Sequence, residues 1–400
     1  MREPDPRLAG ASWLTAPEAR AVFTLLDGEE GRTRAVGGVV RDTLIGRART
    51  QPDVDLATEL LPDEVVGRAE AAGIAAFPTG IAHGTVTLKS GNFLAEVTTL
   101  REDVETDGRH AVVRFGTDWV RDAERRDFTM NALYADAAGR LYDPLGGLED
   151  LAAGRVRFVG DADRRIAEDR LRVYRFFRFA AGYGTPFGVE NEGFSAVARA
   201  AGTLGGLSAE RVGAEMKRLL TLPRIGWVLR LMESIGIIAL GAERLACAEA
   251  YEEGNPAPTL AGRLAIFLDA MGEGGLRRAW RLSNAELLEA GQVLETIDLL
   301  ARGAVDEARY RFPQAIGDAV RLLCLRPGAD AGAINQQVFE RKGISVPRFP
   351  VSGGDMVRIG VSPGPEMGRI LRKLEQKWIE SGFTLERETL IKFAVKLHEI

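Results

Sequence analysis

Asp53 and Asp55 stand one residue apart in Pro52-Asp53-Val54-Asp55-Leu56, shortly after the run Gly37-Gly38-Val39-Val40-Arg41-Asp42. Such a carboxylate pair can share a divalent cation: Mg2+ prefers hard oxygen ligands and is commonly held by one or two carboxylates plus substrate phosphates. A glycine pair lets the backbone approach a phosphate, and an arginine beside it supplies a fork of donors for the anion. Together these residue types suit metal-assisted chemistry at a phosphate. Taken singly, D-x-D fits a solvated loop and Gly-Gly an ordinary turn. Their order, with Arg41 between them, favours the chemical reading.

The elements that must position these groups follow from local rules. Arg34-Ala35-Val36 predicts the end of a strand, Gly37-Gly38 a tight turn, and Val39 to Ile45 the start of a helix whose first N–H groups lack partners. Side chains alternate across a strand, so Asp53 and Asp55 are expected to project from one face of the next one. Thr85 to Leu88 and Phe93 to Thr99 flank Lys89-Ser90-Gly91-Asn92, which predicts a hairpin. Glu96 on its second strand is then a candidate third carboxylate, against the plainer reading of an exposed strand glutamate. Arg125-Arg126-Asp127-Phe128-Thr129-Met130-Asn131 sets two cations, a carboxylate and an amide at an apolar segment read as helical, where Asp127 also suits a helix cap. Glu168 to Phe179 predicts a helix on which Asp169 and Arg172, three apart, share a face. A surface ion pair of little energetic weight is the alternative there.

Composition bounds the remainder. The chain has 400 residues, 46% hydrophobic and 27% charged, which supports more than one core and excludes a largely disordered polypeptide. Short strand-like runs with glycine turns precede residue 150, and apolar residues recur at helical spacing after about 163. We therefore expect an α+β fold: an N-terminal extension (1–30), a head with a small mixed sheet (31–155), helices at 156–222, and an all-helical remainder (223–400). Breaks are expected at Leu219 to Pro223, Gly254 to Pro258 and Arg326-Pro327-Gly328. The net charge of -5 does not favour nucleic acid as a bulk property, but Arg155, Arg157, Arg164, Arg165, Arg170, Arg172, Arg175 and Arg178 crowd one aromatic-containing stretch. About half of that stripe is assigned to ordinary ion pairing and the rest to phosphate contacts. Cys247 and Cys324 lack a metal-ligand spacing, and there is neither a signal core nor a membrane-length apolar run. A reduced cytoplasmic protein, with no membrane association and no obligate protein partner, is the expectation.

The glycine and aspartate motifs resemble the head-domain signature of class II tRNA nucleotidyltransferases, the CCA-adding enzymes, and of the related bacterial poly(A) polymerases. The resemblance runs from about residue 34 to 220, through Gly80 to Val86, Glu96 to Arg101, Arg125 to Leu133, Asp143 to Leu148 and Glu168 to Arg172. It implies a nucleotidyltransferase (polymerase beta-like) head followed by an all-α neck, body and tail. The implied activity is template-independent addition or repair of the 3'-terminal CCA of tRNA from CTP and ATP with Mg2+. A poly(A) polymerase is the nearest alternative, and a noncatalytic tRNA-binding protein with a vestigial head a more distant one.

The resemblance also carries residue roles. Asp53 and Asp55 become the catalytic metal ligands, with Glu96 the third acidic residue. Gly37, Gly38 and Arg41 meet the triphosphate, with Asp42 bracing Arg41, and Arg126 lies near the phosphates or the carboxylates. Asp127 and Asn131 lie near the ribose, where a carboxylate accepting from the hydroxyls would favour ribonucleotides. Asp169 and Arg172 read the amine and ring nitrogen that cytosine and adenine share, and Arg175 joins the nucleotide-binding set. Arg164, Arg165 and Arg178 are assigned to RNA. His83 reads as structural, Asp143 to Gly147 as a turn, and Ser208 to Leu220 as a supporting helix. Glu102 to Thr117 resembles the loop used in switching from C to A, and the C-terminal stretch through Trp378 resembles the family's tail, with Trp378, Ile379 and Phe383 read as core.

Overall fold

A computed structural model describes residues 3–47, 52–107, 110–186, 188–189, 191–253 and 257–398. The chain divides into two compact units, one comprising residues 1–239 with 279–281 and the other 240–278 with 282–400.

The first unit is built on a seven-stranded mixed sheet in the order β3-β4-β5-β2-β1-β8-β9. Its strands are β1 (Thr33–Val36), β2 (Val54–Thr58), β3 (Ala75–Gly80), β4 (Thr85–Ser90), β5 (Phe93–Thr99), β8 (Tyr134–Ala135) and β9 (Leu141–Tyr142), while β6 (Arg101–Asp107) and β7 (His110–Phe115) pair as a separate ribbon. The ribbon occupies the segment read as a switching loop; Gly108 and Arg109 of that reading lie outside the described residues. The hairpin expected around Gly91 forms, with its strands extending through Ser90 and from Phe93.

Alternation decides what β2 exposes: Val54 and Leu56 are buried, whereas Asp53 and Asp55 face solvent. Parallel pairing of β2 with β5 sets Asp55 opposite Glu96, itself exposed between buried Ala95 and Val97. Three carboxylates thus emerge from one face at the centre of the sheet.

The residues read as an N-terminal extension pack into this unit. Leu8, Trp13, Val22, Phe23 and Leu26 are buried, the Trp13 indole donates to Thr43 Oγ1 at 2.9 Å, and Arg7 donates to the Leu44 carbonyl at 2.7 Å. Both bonds end on the helix Gly38–Leu44 that follows the glycine pair.

Two helical expectations fail. Residues 127–129 do not open a helix: Phe128 bridges Phe158 in antiparallel fashion, Thr129 N–H bonds the Arg157 carbonyl and Val159 N–H the Asp127 carbonyl. Only one 3-10 turn, Thr129–Asn131, separates this extended stretch from β8, so Asp127 caps no helix. The stretch from Glu168 is also interrupted. One helix, Ala162–Glu168, ends there; Asp169 is extended (φ -149°, ψ 104°), and the next helix, Arg172–Tyr183, starts three residues later. At 127–129 apolar burial overrides local periodicity, since Phe128, Phe158, Phe176 and Phe179 form one aromatic cluster with centroid separations of 4.8–6.4 Å; at the second break the Asp169 carboxylate accepts from Leu171 N–H and from Arg211 of a distant helix.

Among its described residues the second unit contains helices joined by loops and no strand. A core of Met356, Ile370, Leu374, Trp378, Ile379 and Leu390 anchors its C-terminal end, with Phe383 edge-on to Trp378 at 4.8 Å, as read from the sequence. A buried Asp318 accepts from the Tyr251 and Thr259 hydroxyls, both at 2.6 Å. Helices end at Leu220 and Cys324, next to two of the expected breaks; residues 254–256 of the third lie outside the described residues.

Candidate active site

A cleft of about 690 Å³ in the first unit is lined by the glycine turn, Arg41, Asp42, Asp53, Asp55, Arg126, Asp127, Asn131, Arg175, Arg178 and Tyr183, among others. Gly37 adopts φ 74° and ψ -123°, a conformation only glycine takes readily, so the turn itself demands that residue.

One wall is acidic and unsatisfied. Asp53 and Asp55 line it, Glu96 stands in register beside Asp55 without lining the cleft itself, and among the described residues no ion pair forms with any of the three. Desolvation first, then the neighbouring Glu96 and Asp53, push the Asp55 carboxyl up to about 6, against the opposing pull of Arg126. Asp55 still touches solvent, so crowding by the cleft and by like charge, rather than full burial, accounts for the shift. These groups suit a hard cation. Among the described residues no trio of ligating side chains closes into a metal cage, so a cation here would complete its shell from water and substrate, as Mg2+ commonly does.

Arg126 faces this wall on a rigid mount. Its guanidinium donates to the buried Asp122 at 3.0 Å and to the Tyr134 hydroxyl at 3.2 Å. Its Nη1 lies 3.9 Å from where a Cβ at Gly37 would stand, between the acidic wall and the turn. Burial works against the Asp122 carboxylate, yet Arg126, Arg125 and Tyr134 prevail and hold it at about 2.

The opposite wall is polar and saturated. Asp127 accepts from Phe128 N–H and Asn131 Nδ2 on one oxygen, both at 2.9 Å, and from Arg175 Nε and Nη2 at 2.7 and 2.5 Å on the other. Those four donors fill the roughly four lone-pair sites of a carboxylate. Burial opposes its ionisation, but Arg175 and these hydrogen bonds hold Asp127 below the usual range. The expected Asp127 acceptor for a ribose hydroxyl is therefore already engaged. Asn131 Oδ1 in turn accepts from Arg41 Nη1 at 2.5 Å, and Arg178 donates to the buried Glu215 at 2.5 Å.

Arg41 also departs from expectation. It is 6% exposed, and all three of its nitrogens donate within the protein, to Asn131, Asp42 and Tyr183. Asp42 does brace it, as expected. Arg41 acts as a strut, while Arg126 keeps an edge toward the turn.

Asp169 and Arg172 do not share a helix face, because the chain breaks between them. Asp169 accepts from Leu171 N–H and from Arg211 at 2.7 Å, whereas Arg172 donates to Glu168 and to the Arg165 carbonyl, each at 2.6 Å. Neither lines the cleft, although the Asp169 charge reaches Arg175. In the arginine stripe Arg155 and Arg157 bind Asp150, Arg165 binds Glu168, and Arg164 is 80% exposed with a loose 3.4 Å contact to Glu168. Arg178 lies in the cleft, not on an outer face. His83 does not line it, and Asp143 accepts from Gly147 and Leu148 N–H as a turn residue should.

Sequence reasoning missed Asp122, Glu215 and Tyr183. Asp122 stands four before Arg126 on a helical turn, a spacing that signals such a pair. Glu215 meets Arg218 three residues on at 3.4 Å, but its bond to Arg178 and those of Tyr183 to Arg41 and Asp42 join positions distant in sequence.

Residues 33–157 match the Poly A polymerase head domain family. The chain is 35% identical over 418 residues to CCA tRNA nucleotidyltransferase 1, mitochondrial, of Mus musculus, covering 96% of this chain and 93% of the relative. A CCA-adding enzyme of Geobacillus kaustophilus is 32% identical over 382 residues, covering 89% and 90%. Among solved structures, the Bacillus stearothermophilus CCA-adding enzyme in complex with CTP superposes with a TM-score of 0.75 at 27% identity, covering 99% of this chain and 98% of that one.

Proposed function

The chain belongs to the CCA-adding tRNA nucleotidyltransferases, and we propose that its cleft builds or repairs the 3'-terminal CCA of tRNA from CTP and ATP, with Mg2+ as the cation. The observation that carries this reading is the acidic wall: Asp53 and Asp55 with in-register Glu96, in no ion pair among the described residues, beside a glycine turn and Arg126. Asp53 and Asp55 would hold the cation, which when bound lowers the pKa of an attacking 3'-hydroxyl and neutralises the triphosphate.

The chain's own groups do the remaining work. The bare backbone at Gly37 and Gly38 lets a phosphate approach, and Arg126, fixed by Asp122, brings positive charge to it. Saturation of Asp127 makes Arg175, not the carboxylate, the group of that pair with capacity left to meet a nucleotide. Asp169 and Arg172 are proposed to read the base, the carboxylate accepting from the exocyclic amine and the arginine donating to the ring nitrogen that cytosine and adenine share. For this they must exchange Arg211 and Glu168 for the base edge. Arg164 and Arg165 are proposed to guide the RNA backbone, and head (31–155) and neck (156–222) remain a functional division of the first unit. Among the described residues no helix is long and apolar enough to cross a membrane. With two free cysteines, we place the enzyme in the cytoplasm.

The test is incubation with Mg2+, CTP and ATP on tRNA transcripts lacking CCA, with products resolved to single nucleotides. Addition that stops at C-C-A and rejects GTP and UTP is the expected result, and chelation of the cation abolishes it. A long adenosine tail, the outcome that the Poly A polymerase head match by itself allows, would move the protein to that activity. Absence of transfer would leave only RNA binding.

A further inference from the structure

Tyr183 ends the helix Arg172–Tyr183, and its hydroxyl lies in the cleft between two groups some 140 positions away in sequence. Arg41 Nη2 donates to that hydroxyl at 2.5 Å, and the hydroxyl donates to Asp42 Oδ1 at 2.8 Å. The same ring lies under the Arg41 guanidinium, 3.9 Å from its carbon to the ring centroid, and packs near-parallel to Phe179 at 5.7 Å. Arg41 and Asp42 belong to the helix that opens at the glycine turn. One phenol therefore joins the phosphate-proximal turn to the helix whose other end begins at Arg172.

Beside the phenol Arg47, three residues past the end of the first helix, donates to the Gly182 carbonyl at 2.6 Å, and a longer hydrogen-bonded route runs through Asn131, Asp127 and Arg175; of these links the phenol alone bonds the side chains of Arg41 and Asp42 at the turn to the second helix. The phenol uses its ring and its hydroxyl at once, and the hydroxyl both accepts and donates. Desolvation raises its pKa above the usual tyrosine value, so it remains a donor to Asp42 throughout the physiological range. Loss of the hydroxyl removes one partner each from Arg41 Nη2 and Asp42 Oδ1, which keep their own 2.9 Å ion pair but lose the tie to the second helix, while the ring can stay in place.

We propose that Tyr183 is a positioning residue for nucleotide binding: it sets the spacing between the Gly37-Gly38 turn and the helix that starts at Arg172. It acts through Arg41 and Asp42, without itself touching the reacting atoms. The inference rests on the nucleotide-binding reading of the cleft given above. Spacing matters because one nucleotide must satisfy both ends, its phosphates at the turn and its base near Arg172. A helix that drifts by a fraction of an ångström loses both contacts together.

The experiment compares wild type, Tyr183→Phe and Tyr183→Leu in two assays. In titration calorimetry with CTP and Mg2+ but no tRNA, Tyr183→Phe is expected to weaken CTP binding about 5- to 10-fold, as loss of hydrogen bonds to charged groups does, and Tyr183→Leu to weaken it more. In the transfer assay Tyr183→Phe should raise KM for CTP and ATP by the same factor, leave kcat within about twofold, and relax rejection of UTP. Wild-type affinity and wild-type UTP rejection in Tyr183→Phe would overturn the proposal, and so would a lowered Tm as its sole effect. If Tyr183→Phe yields little folded protein, Asp42→Asn weakens the same contact from the turn side, and unchanged CTP affinity there would count against it equally. A wild type that binds CTP but transfers nothing to tRNA refutes the proposed activity, and Tyr183 is then judged on the affinity ratio.

Discussion

The two walls of the cleft handle charge in opposite ways. On one, Asp53 and Asp55 crowd together with in-register Glu96 in no ion pair among the described residues, and Asp55 is driven up to about 6. On the other, Asp127 is surrounded by four donors, Asn131 carries the chain of hydrogen bonds on to Arg41, and Arg175 also faces Glu215 in a 3.7 Å ion pair. An unsatisfied cluster stores repulsion that a ligand can relieve, so it marks where binding energy is available. A saturated network has little left to give a ligand and instead holds its surroundings still. On the proposed function the walls therefore divide labour: one binds and the other aligns.

The strongest way to break this comparison is on the acidic wall. Asp53→Asn or Asp55→Asn should lower transfer by at least about 10³-fold at saturating nucleotide, measured as single-turnover rates, while the protein stays folded. Full activity in either variant would remove the wall from the mechanism. On the aligning wall the order of effects reverses. Asp127→Ala strips Arg175 and Asn131 of their acceptor and should cost about 3 kcal/mol of stability in urea unfolding, because the guanidinium is left half-buried without its carboxylate. Activity is lost with it through disorder of the cleft, so a stable but inactive Asp127→Ala protein would instead assign this carboxylate directly to the substrate.

Smaller effects sharpen the contrast. The raised Asp55 carboxyl means the native state keeps a proton that the unfolded chain releases near its ordinary value of 3.8. Stability from this group is thus complete below that value and is lost as pH rises through about 6. Without added cation, Asp55→Asn should raise Tm at pH 7.5 by about 2 °C, a figure reduced for solvent screening, and have no such effect at pH 3.5. Scanning calorimetry across that range checks it, and added Mg2+ should close the gap at pH 7.5 by stabilising the wild type alone. Least of all, Arg164→Ala should raise KM for tRNA by about 2- to 3-fold at low salt and have no effect at high salt, as an exposed phosphate contact would.

What could be read in advance was local. The turn at Gly37 needs a residue free to take positive φ, the D-x-D pair needs only period-two alternation, and the hairpin carrying Glu96 is announced by its own glycine turn. Each signal spans a few residues, so spacing sufficed to single out the glycine turn and the Asp53/Asp55 pair, whereas Glu96 joined them through the family resemblance. The α+β head followed by helices was legible for the same reason, since period two gives way to period 3.6 along the chain.

The aligning wall was illegible because its bonds join residues far apart in sequence: Arg175 to Asp127, Arg211 to Asp169, Tyr183 to Arg41. Local pattern even misled at two points. Residues 127–129 read as helical but pair as extended chain with 157–159, and the segment carrying Asp169 and Arg172 breaks between them. At the first, burial of Phe128, Phe158, Phe176 and Phe179 in one cluster outweighs backbone propensity, whose differences amount to under about 1 kcal/mol per residue for ordinary side chains. At the second, the Asp169 carboxylate accepts from Leu171 N–H and from Arg211 of a distant helix. The sequence by itself determined which groups are candidates for chemistry; only the tertiary structure decided which of them are left without a protein partner, because a side chain's availability depends on partners that packing brings from elsewhere in the chain.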